Sequence, residues 1–151
     1  NILVNYPSWE EEIDIMKRVS GDFEPELQTV LHREDILALQ KLVRKVPVAD
    51  HVMRYALKFT RLTRREKGEV PDFINDYVSW GAGPRASLAL LECARARAAL
   101  AGRDFATPDD VKQVARPVLE HRVTLQPEAE MEGTTLEDVL RRIFETTEVP
   151  R

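Results

Sequence analysis

Gly81-Ala82-Gly83-Pro84-Arg85-Ala86-Ser87 leads directly into Leu88-Ala89-Leu90-Leu91 and an alanine-rich run that extends to about Ala101. Proline has no N–H to lose at the first helical position and its φ is already helical, so Pro84 marks a helix start. Alanine and leucine have high helix propensity, so the run that follows reads as one long helix. Leu88, Leu91, Ala94 and Ala98 are its expected core face, and Gly102 is its expected stop. Arg85 then falls in the first turn. A cation there opposes the helix dipole, at a cost of about 0.3–1 kcal/mol. An anion opposite would reverse that balance, because free backbone N–H groups and a guanidinium fork together suit a phosphate. The glycines at 81 and 83 would permit close backbone approach. Spacing alone leaves two readings open: a phosphate contact, or a solvated arginine after a loop.

Working outward, the rest of the chain is also mainly helical. Asn1 to Tyr6 reads as an extended segment stopped by Pro7. Because the sequence opens inside the apolar run Ile2-Leu3-Val4, without methionine, it is expected to be a piece of a longer protein. Ser8-Trp9-Glu10-Glu11 is a capping box, and Ile13, Met16 and Val19 follow at helical spacing to a stop near Gly21. Phe23 to Arg33 reads as loop. Helices are expected over about 34–45, with Ile36, Leu39, Leu42, Val43 and Val46 on one face and Pro47 as terminator, and over about 50–63, with Val52, Tyr55, Ala56, Phe59 and Leu62 inward. Arg64 to Asp76 reads as a loop, with Tyr77 and Trp80 as packing residues beneath it. Thr107-Pro108-Asp109-Asp110 starts a further helix, expected to be short because of Pro117. Val118 to Leu125 is expected to be a helical turn and an extended piece. Thr134-Thr135-Leu136-Glu137 opens a last helix with Val139, Leu140 and Ile143 inward.

Composition narrows the function classes. The chain has 151 residues, 43% hydrophobic and 32% charged, with a net charge of −4, which suits one compact domain with an appendage and gives no overall positive field for nucleic acid. Its single cysteine, Cys93, excludes an internal disulfide and a zinc site built on several thiolates. Placed mid-helix among alanines, it reads as a structural thiol. A cytoplasmic location is the default for such cysteine usage. No signal peptide is visible, and no apolar run approaches the roughly 20 residues that cross a bilayer. There is no phosphate loop, no Gly-x-Ser-x-Gly elbow and no His-Glu-x-x-His motif. His32, His51 and His121 lack metal-ligand spacing, so no metal is expected on this chain. The basic cluster Arg61, Arg64, Arg65 and Lys67 reads first as a solvated helix end, and second as a contact to a partner.

The segment from Trp80 to Leu91 resembles the sensor-2 region of MoxR-type AAA+ ATPases. The resemblance continues through Gly102-Arg103-Asp104-Phe105-Ala106-Thr107-Pro108-Asp109-Asp110-Val111 and Pro117-Val118-Leu119-Glu120-His121-Arg122. Val4-Asn5-Tyr6-Pro7 resembles the segment leaving the ATPase core, and Val149-Pro150-Arg151 fits the family's C-terminus. Two positions depart from the family pattern: Gly83 where serine is usual, and Asn5 where aspartate is common.

The resemblance implies an AAA+ lid-type helical bundle over residues 8–151, with residues 1–7 as the segment leaving a core that lies upstream. It implies that Arg85 is the sensor-2 arginine, acting on ATP and Mg held by that core, with Pro84 beside it and Tyr6 and Pro7 at the hinge. It also implies a hexameric ring, chaperone-like remodelling or complex assembly, and von Willebrand-A-type partners. The chain alone is expected neither to hydrolyse ATP nor to bind it tightly. Two other readings stand beside this one. A stand-alone helical interaction module accounts for the composition without nucleotide. A DNA-binding helix-turn-helix over Thr107–Ala115 is opposed by Asp109 and Asp110, which would repel phosphates.

Overall fold

The computed structural model describes residues 4–65 and 70–149. Asn1 to Leu3 of the expected extended segment, Lys67 of the basic cluster, and the terminal Pro150 and Arg151 lie outside the described residues. The chain divides into two units, residues 1–37 and 38–151.

In the first unit, residues 4–8 carry no helix or strand, and α1 (Trp9–Ser20) follows. Ser8 caps it as expected: its hydroxyl accepts from Glu11 N–H, and the Glu11 carboxylate accepts from Ser8 N–H at 2.8 Å. Glu10, Glu11 and Glu12 complement the dipole at one end and Lys17 and Arg18 at the other. The expected stripe is present but not covered, with Met16 65% and Val19 80% exposed. Helix α2 (Arg33–Lys45) crosses the boundary between the units and likewise buries no residue.

The second unit holds the core. Helix α3 (Asp50–Leu62) turns Val52, Tyr55, Ala56 and Phe59 inward, as its periodicity predicts. Helix α5 (Pro84–Leu100) packs against α6 (Pro108–Leu119), and α3 lies against both. Helix α8 (Leu136–Thr146) contacts α3 and α6 with Val139, Leu140 and Ile143 buried. Phe59 sits at 4.8 Å from Tyr55 in an edge-to-face pair and at 4.8 Å from Phe144. Burial of each large side chain here (Phe59, Leu90, Leu119, Ile143) contributes about 1.5–3 kcal/mol.

Several expectations are corrected. The core face of α5 is Ala86, Leu90, Ala94 and Ala98, not the stripe through Leu88, which is 63% exposed, and Leu91, which is half-buried. The small alanines let α6 approach closely, so backbone proximity rather than side-chain bulk selects the face. The expected loop Arg64–Asp76 contains the start of a short helix, α4 (Asp72–Tyr77), anchored by fully buried Ile74. Strand β1 (Val78–Trp80) then pairs antiparallel with β2 (Thr124–Leu125), Val78 opposite Leu125. Helix α6 runs through Pro117 instead of ending there. The proline lies on the exposed side, where the carbonyl it leaves unpaired meets water, while Val118 and Leu119 gain burial. A one-turn α7 (Pro127–Met131) was not expected. The cap of α8 is Thr135 with Asp138, one residue beyond the expected box.

The far end of α5 is fixed by two linked devices. Gly102 takes φ 67°, and the N–H groups of Gly102 and Arg103 donate to the carbonyls of Ala99 and Ala98, a Schellman stop. Arg103 then forks onto the carboxylate of Asp110, which is 1% exposed, with Arg97 Nε at 3.6 Å. The same carboxylate accepts from Thr107 N–H at 2.8 Å and from its hydroxyl at 2.9 Å, closing the capping box of α6. Burial pushes the Asp110 carboxyl upward, but the Arg103 hydrogen bonds and the Thr107 bonds outweigh it, so it titrates below its ordinary 3.8.

Asp110→Asn removes this charge at constant size. It should cost about 1.5–3 kcal/mol at neutral pH, read as a lower urea midpoint. Because the folded carboxyl titrates below the unfolded one, its contribution is complete above the ordinary value and is lost as pH falls through the lower folded value. Stability of the unsubstituted chain should therefore fall on acidification below about pH 4, and less steeply in Asp110→Asn. Identical acid profiles would remove Asp110 from the pH response.

Candidate functional site

The start of α5 is assembled from two directions. The sequence supplies Gly83 as N-cap, in extended backbone at φ −78° and ψ 178°, and Pro84 at the first helical position. The fold supplies a support from the end of α3. A Cβ on Gly81 would stand 2.2 Å from the carbonyl oxygen of Thr63, so only glycine allows this approach. The next peptide is held on both sides. Ala82 N–H donates to Thr63 Oγ1 at 2.9 Å, and Ala82 C=O accepts from Arg64 Nε at 2.9 Å. Gly83 differs from Gly81: a Cβ there would meet nothing within 4 Å.

Pro84 and Arg85 thus sit together on the first turn, both exposed. Three other helices, α1, α6 and α8, begin with a complete capping box and acidic residues in the first turn. Helix α5 has no side-chain cap and no acid in its first turn. Among the described residues Arg85 has no hydrogen bond or ion pair. Pro84 has no N–H and Ala86 N–H donates to Gly83 C=O at 2.9 Å, so the uncommitted group at this helix start is the guanidinium, whose chemistry suits a phosphate or carboxylate supplied from outside the chain.

The other sequence candidates fall out as follows. Tyr6 and Pro7 belong to the first unit, whereas Pro84 and Arg85 belong to the second. Tyr6 is fully exposed and lines an open groove of about 550 Å3 with Asn5, Pro7, Glu11, Asp14 and Arg18. Tyr77 packs at 6.4 Å from Phe73, with the Arg142 guanidinium over both rings. Trp80, expected to pack, is instead 74% exposed at the end of β1. Its strand partner there is Thr124, and a register irregularity between Val78 and Trp80 breaks the two-residue alternation that would otherwise have put both side chains on one face, so Val78 is buried and Trp80 is exposed. His32, His51 and His121 are exposed, and among the described residues no three His, Cys, Asp or Glu side chains gather as metal ligands. Cys93 is half-buried on α5. Of the basic cluster, Arg64 is turned to the loop at Ala82 rather than left as a solvated helix end, and Arg65 is exposed. Sequence reasoning missed Thr63 and Arg64 as parts of the site. Their partner lies 18–19 residues away, and no local spacing signals such a contact.

Comparison with known proteins gives a consistent result. Residues 73–143, from α4 into α8, match the family model of the AAA lid domain. The chain is 33% identical over 150 residues to Chaperone MoxR1 of Mycobacterium tuberculosis, covering 99% of this chain and 40% of that protein. It is 34% identical over 148 residues to the uncharacterized protein YeaC of Bacillus subtilis, covering 97% and 43% respectively. A crystal structure of a candidate ATPase from Cytophaga hutchinsonii superposes with a TM-score of 0.79 at 29% identity, covering 98% of this chain and 45% of that one. The chain therefore spans about two fifths of the length of these curated relatives.

The two glycines of the site should respond in opposite ways. Gly81→Ala must displace backbone, and is expected to destabilise by about 1–3 kcal/mol. Gly83→Ser has room and adds a capping hydroxyl, so it should stabilise by a few tenths of a kcal/mol, roughly. Paired urea titrations measure both; equal effects would show that Gly81 is not the packed position.

Proposed function

Because this chain is an AAA lid domain of the MoxR type, we propose that it closes over ATP held by a core domain of the same protein and offers Arg85 to the γ-phosphate. The observation that carries this reading is the start of α5, uncapped and bearing an arginine that has no partner among the described residues. A guanidinium at the positive end of a helix dipole fits an anionic phosphate. ATP with Mg supplies the phosphoryl group that passes to water, and the core domain holds both. On this side of the site, Arg85 would offset charge gathering on the phosphate oxygens, and Pro84 would hold the first turn in helical geometry. Tyr6 and Pro7 would form the hinge through which nucleotide state moves the lid as a rigid body.

The rest of the proposal concerns the whole protein. We infer a ring of such subunits, a hexamer, in the cytoplasm, remodelling client proteins in chaperone-like fashion, with von Willebrand-A-type proteins as partners and no nucleic acid or membrane. A relative named as a chaperone supports the remodelling role. No helix among the described residues is long and apolar enough to cross a membrane. A stand-alone interaction module is the alternative, favoured by the exposed apolar residues of α2, Ile36, Leu39 and Leu42. A phosphate loop encoded upstream in the same reading frame would dismiss it.

In the parent protein, Arg85→Ala should lower ATP turnover by about 10–100-fold, the kinetic equivalent of losing a charge-assisted hydrogen bond of about 1.5–3 kcal/mol. Since Arg85 is exposed, its thermal midpoint should barely move. Unchanged turnover would take Arg85 out of the mechanism.

A further inference from the structure

Two consecutive residues at the end of α3 hold one peptide at the start of α5. Thr63 is fully buried, and its hydroxyl has two partners: it donates to Thr60 C=O at 2.7 Å and accepts from Ala82 N–H at 2.9 Å. Arg64 closes the other side by donating from Nε to Ala82 C=O at 2.9 Å. Gly81, immediately before, lies in contact with the Thr63 carbonyl. Beyond Ala82 the route to Arg85 is short. Pro84 has a fixed φ, and Gly83 C=O accepts from Ala86 N–H at 2.9 Å, which ties it into the first turn. Only Gly83 lies between the held peptide and Pro84, so the direction in which Arg85 leaves the lid depends on Ala82 being held.

We propose that Thr63 and Arg64 are positioning residues for Arg85. They act through the Ala82 peptide and do not touch nucleotide. The arrangement also explains why Arg64, at a helix end where a cation could simply be solvated, is turned back onto a carbonyl. The proposal rests on the reading of Arg85 as the phosphate-contacting arginine. A displacement of about 1 Å in such a group can cost up to 100-fold in rate, so a peptide-level tie is enough to matter.

The test is a mutant cycle in the parent ATPase, with ATP as substrate. Thr63→Val removes the hydroxyl at constant shape, and Arg64→Gln removes the guanidinium. Each is made alone and in combination with Arg85→Ala. Each single variant should lower kcat by about 10-fold or more while changing KM for ATP by less than about threefold. In the Arg85→Ala background neither should cause further loss, because the group they position is gone. Thr63→Ser, which keeps the hydroxyl, should restore kcat. Losses that multiply in the double variants, or full turnover in both single variants, would overturn the proposal. If Thr63→Val does not fold, Arg64→Gln decides, since the Arg64 side chain is only part-buried. Retained turnover in Arg85→Ala would sink the sensor reading and this proposal with it. Loss in Arg85→Ala but not in Thr63→Val or Arg64→Gln would sink the positioning role alone.

Discussion

The Thr63 hydroxyl is the point through which the second unit is joined to its own site. It sits in a place without solvent, so both its donor and its acceptor capacity must be met inside the protein. Thr60 C=O meets the first and Ala82 N–H the second. The end of α3 and the start of α5 therefore share one hydrogen-bonded seam, although more than fifteen residues separate them in the chain. The segment between must return to where it left, and α4 and β1 accomplish that return. Ile74 anchors α4 in the core, and β1 is tied by pairing with β2 and by Gln126 N–H donating to Tyr77 C=O at 2.8 Å.

The opposite end of α5 is secured by charge rather than by a hydroxyl. Gly102 turns the chain, Arg103 reaches Asp110, and Asp110 also caps α6. One carboxylate thereby links the stop of one helix to the start of the next, the two helices that share the most extensive contact among the described elements. A buried carboxylate that lost Arg103 would face an uncompensated desolvation cost, so the fork onto it favours a single relative placement of α5 and α6. The Ala86, Leu90, Ala94 and Ala98 face can then be narrow, because its register is held at both ends.

This explains what could and could not be read from sequence. Caps and stops are local, and Ser8, Thr107, Gly102 and Pro84 all announced themselves. The inward face of α3 was also legible, because Tyr55 and Phe59 stand out from polar neighbours. Helix α5 offered less contrast: alanines and leucines are spread around its whole circumference, so periodicity pointed to Leu88 where packing chose Ala86 and Leu90. Strand β1 and the outward Trp80 were hidden because their partner lies near residue 124. Pro117 misled for a physical reason: its lost hydrogen bond and its clash with the carbonyl four residues back fall on the exposed side near the end of α6, and burial of Val118 and Leu119 offsets them. At the site, Arg85 was placed correctly in the first turn by Pro84. Thr63 and Arg64 were not found, because nothing near them in sequence points to residue 82.

The seam and the start of α5, which lacks both a side-chain cap and a first-turn acid, have a common logic. A helix ordinarily needs its first N–H groups satisfied, and α1, α6 and α8 do this with their own side chains. Such a cap consumes the donors it stabilises. Helix α5 is fixed instead from outside, by Thr63 and Arg64 at the peptide before its N-cap and by the Asp110 cluster after its stop. Tertiary ties of this kind make the local cap dispensable, since most helical stability in a folded chain comes from packing rather than from the ends. Pro84 has no N–H to satisfy and Ala86 N–H donates to Gly83 C=O at 2.9 Å, so what this start leaves uncommitted among the described residues is the guanidinium of Arg85. Gly83, which has room for a capping hydroxyl and carries none, fits the same arrangement: a helix start held by ties from outside the helix and not by a side-chain cap of its own.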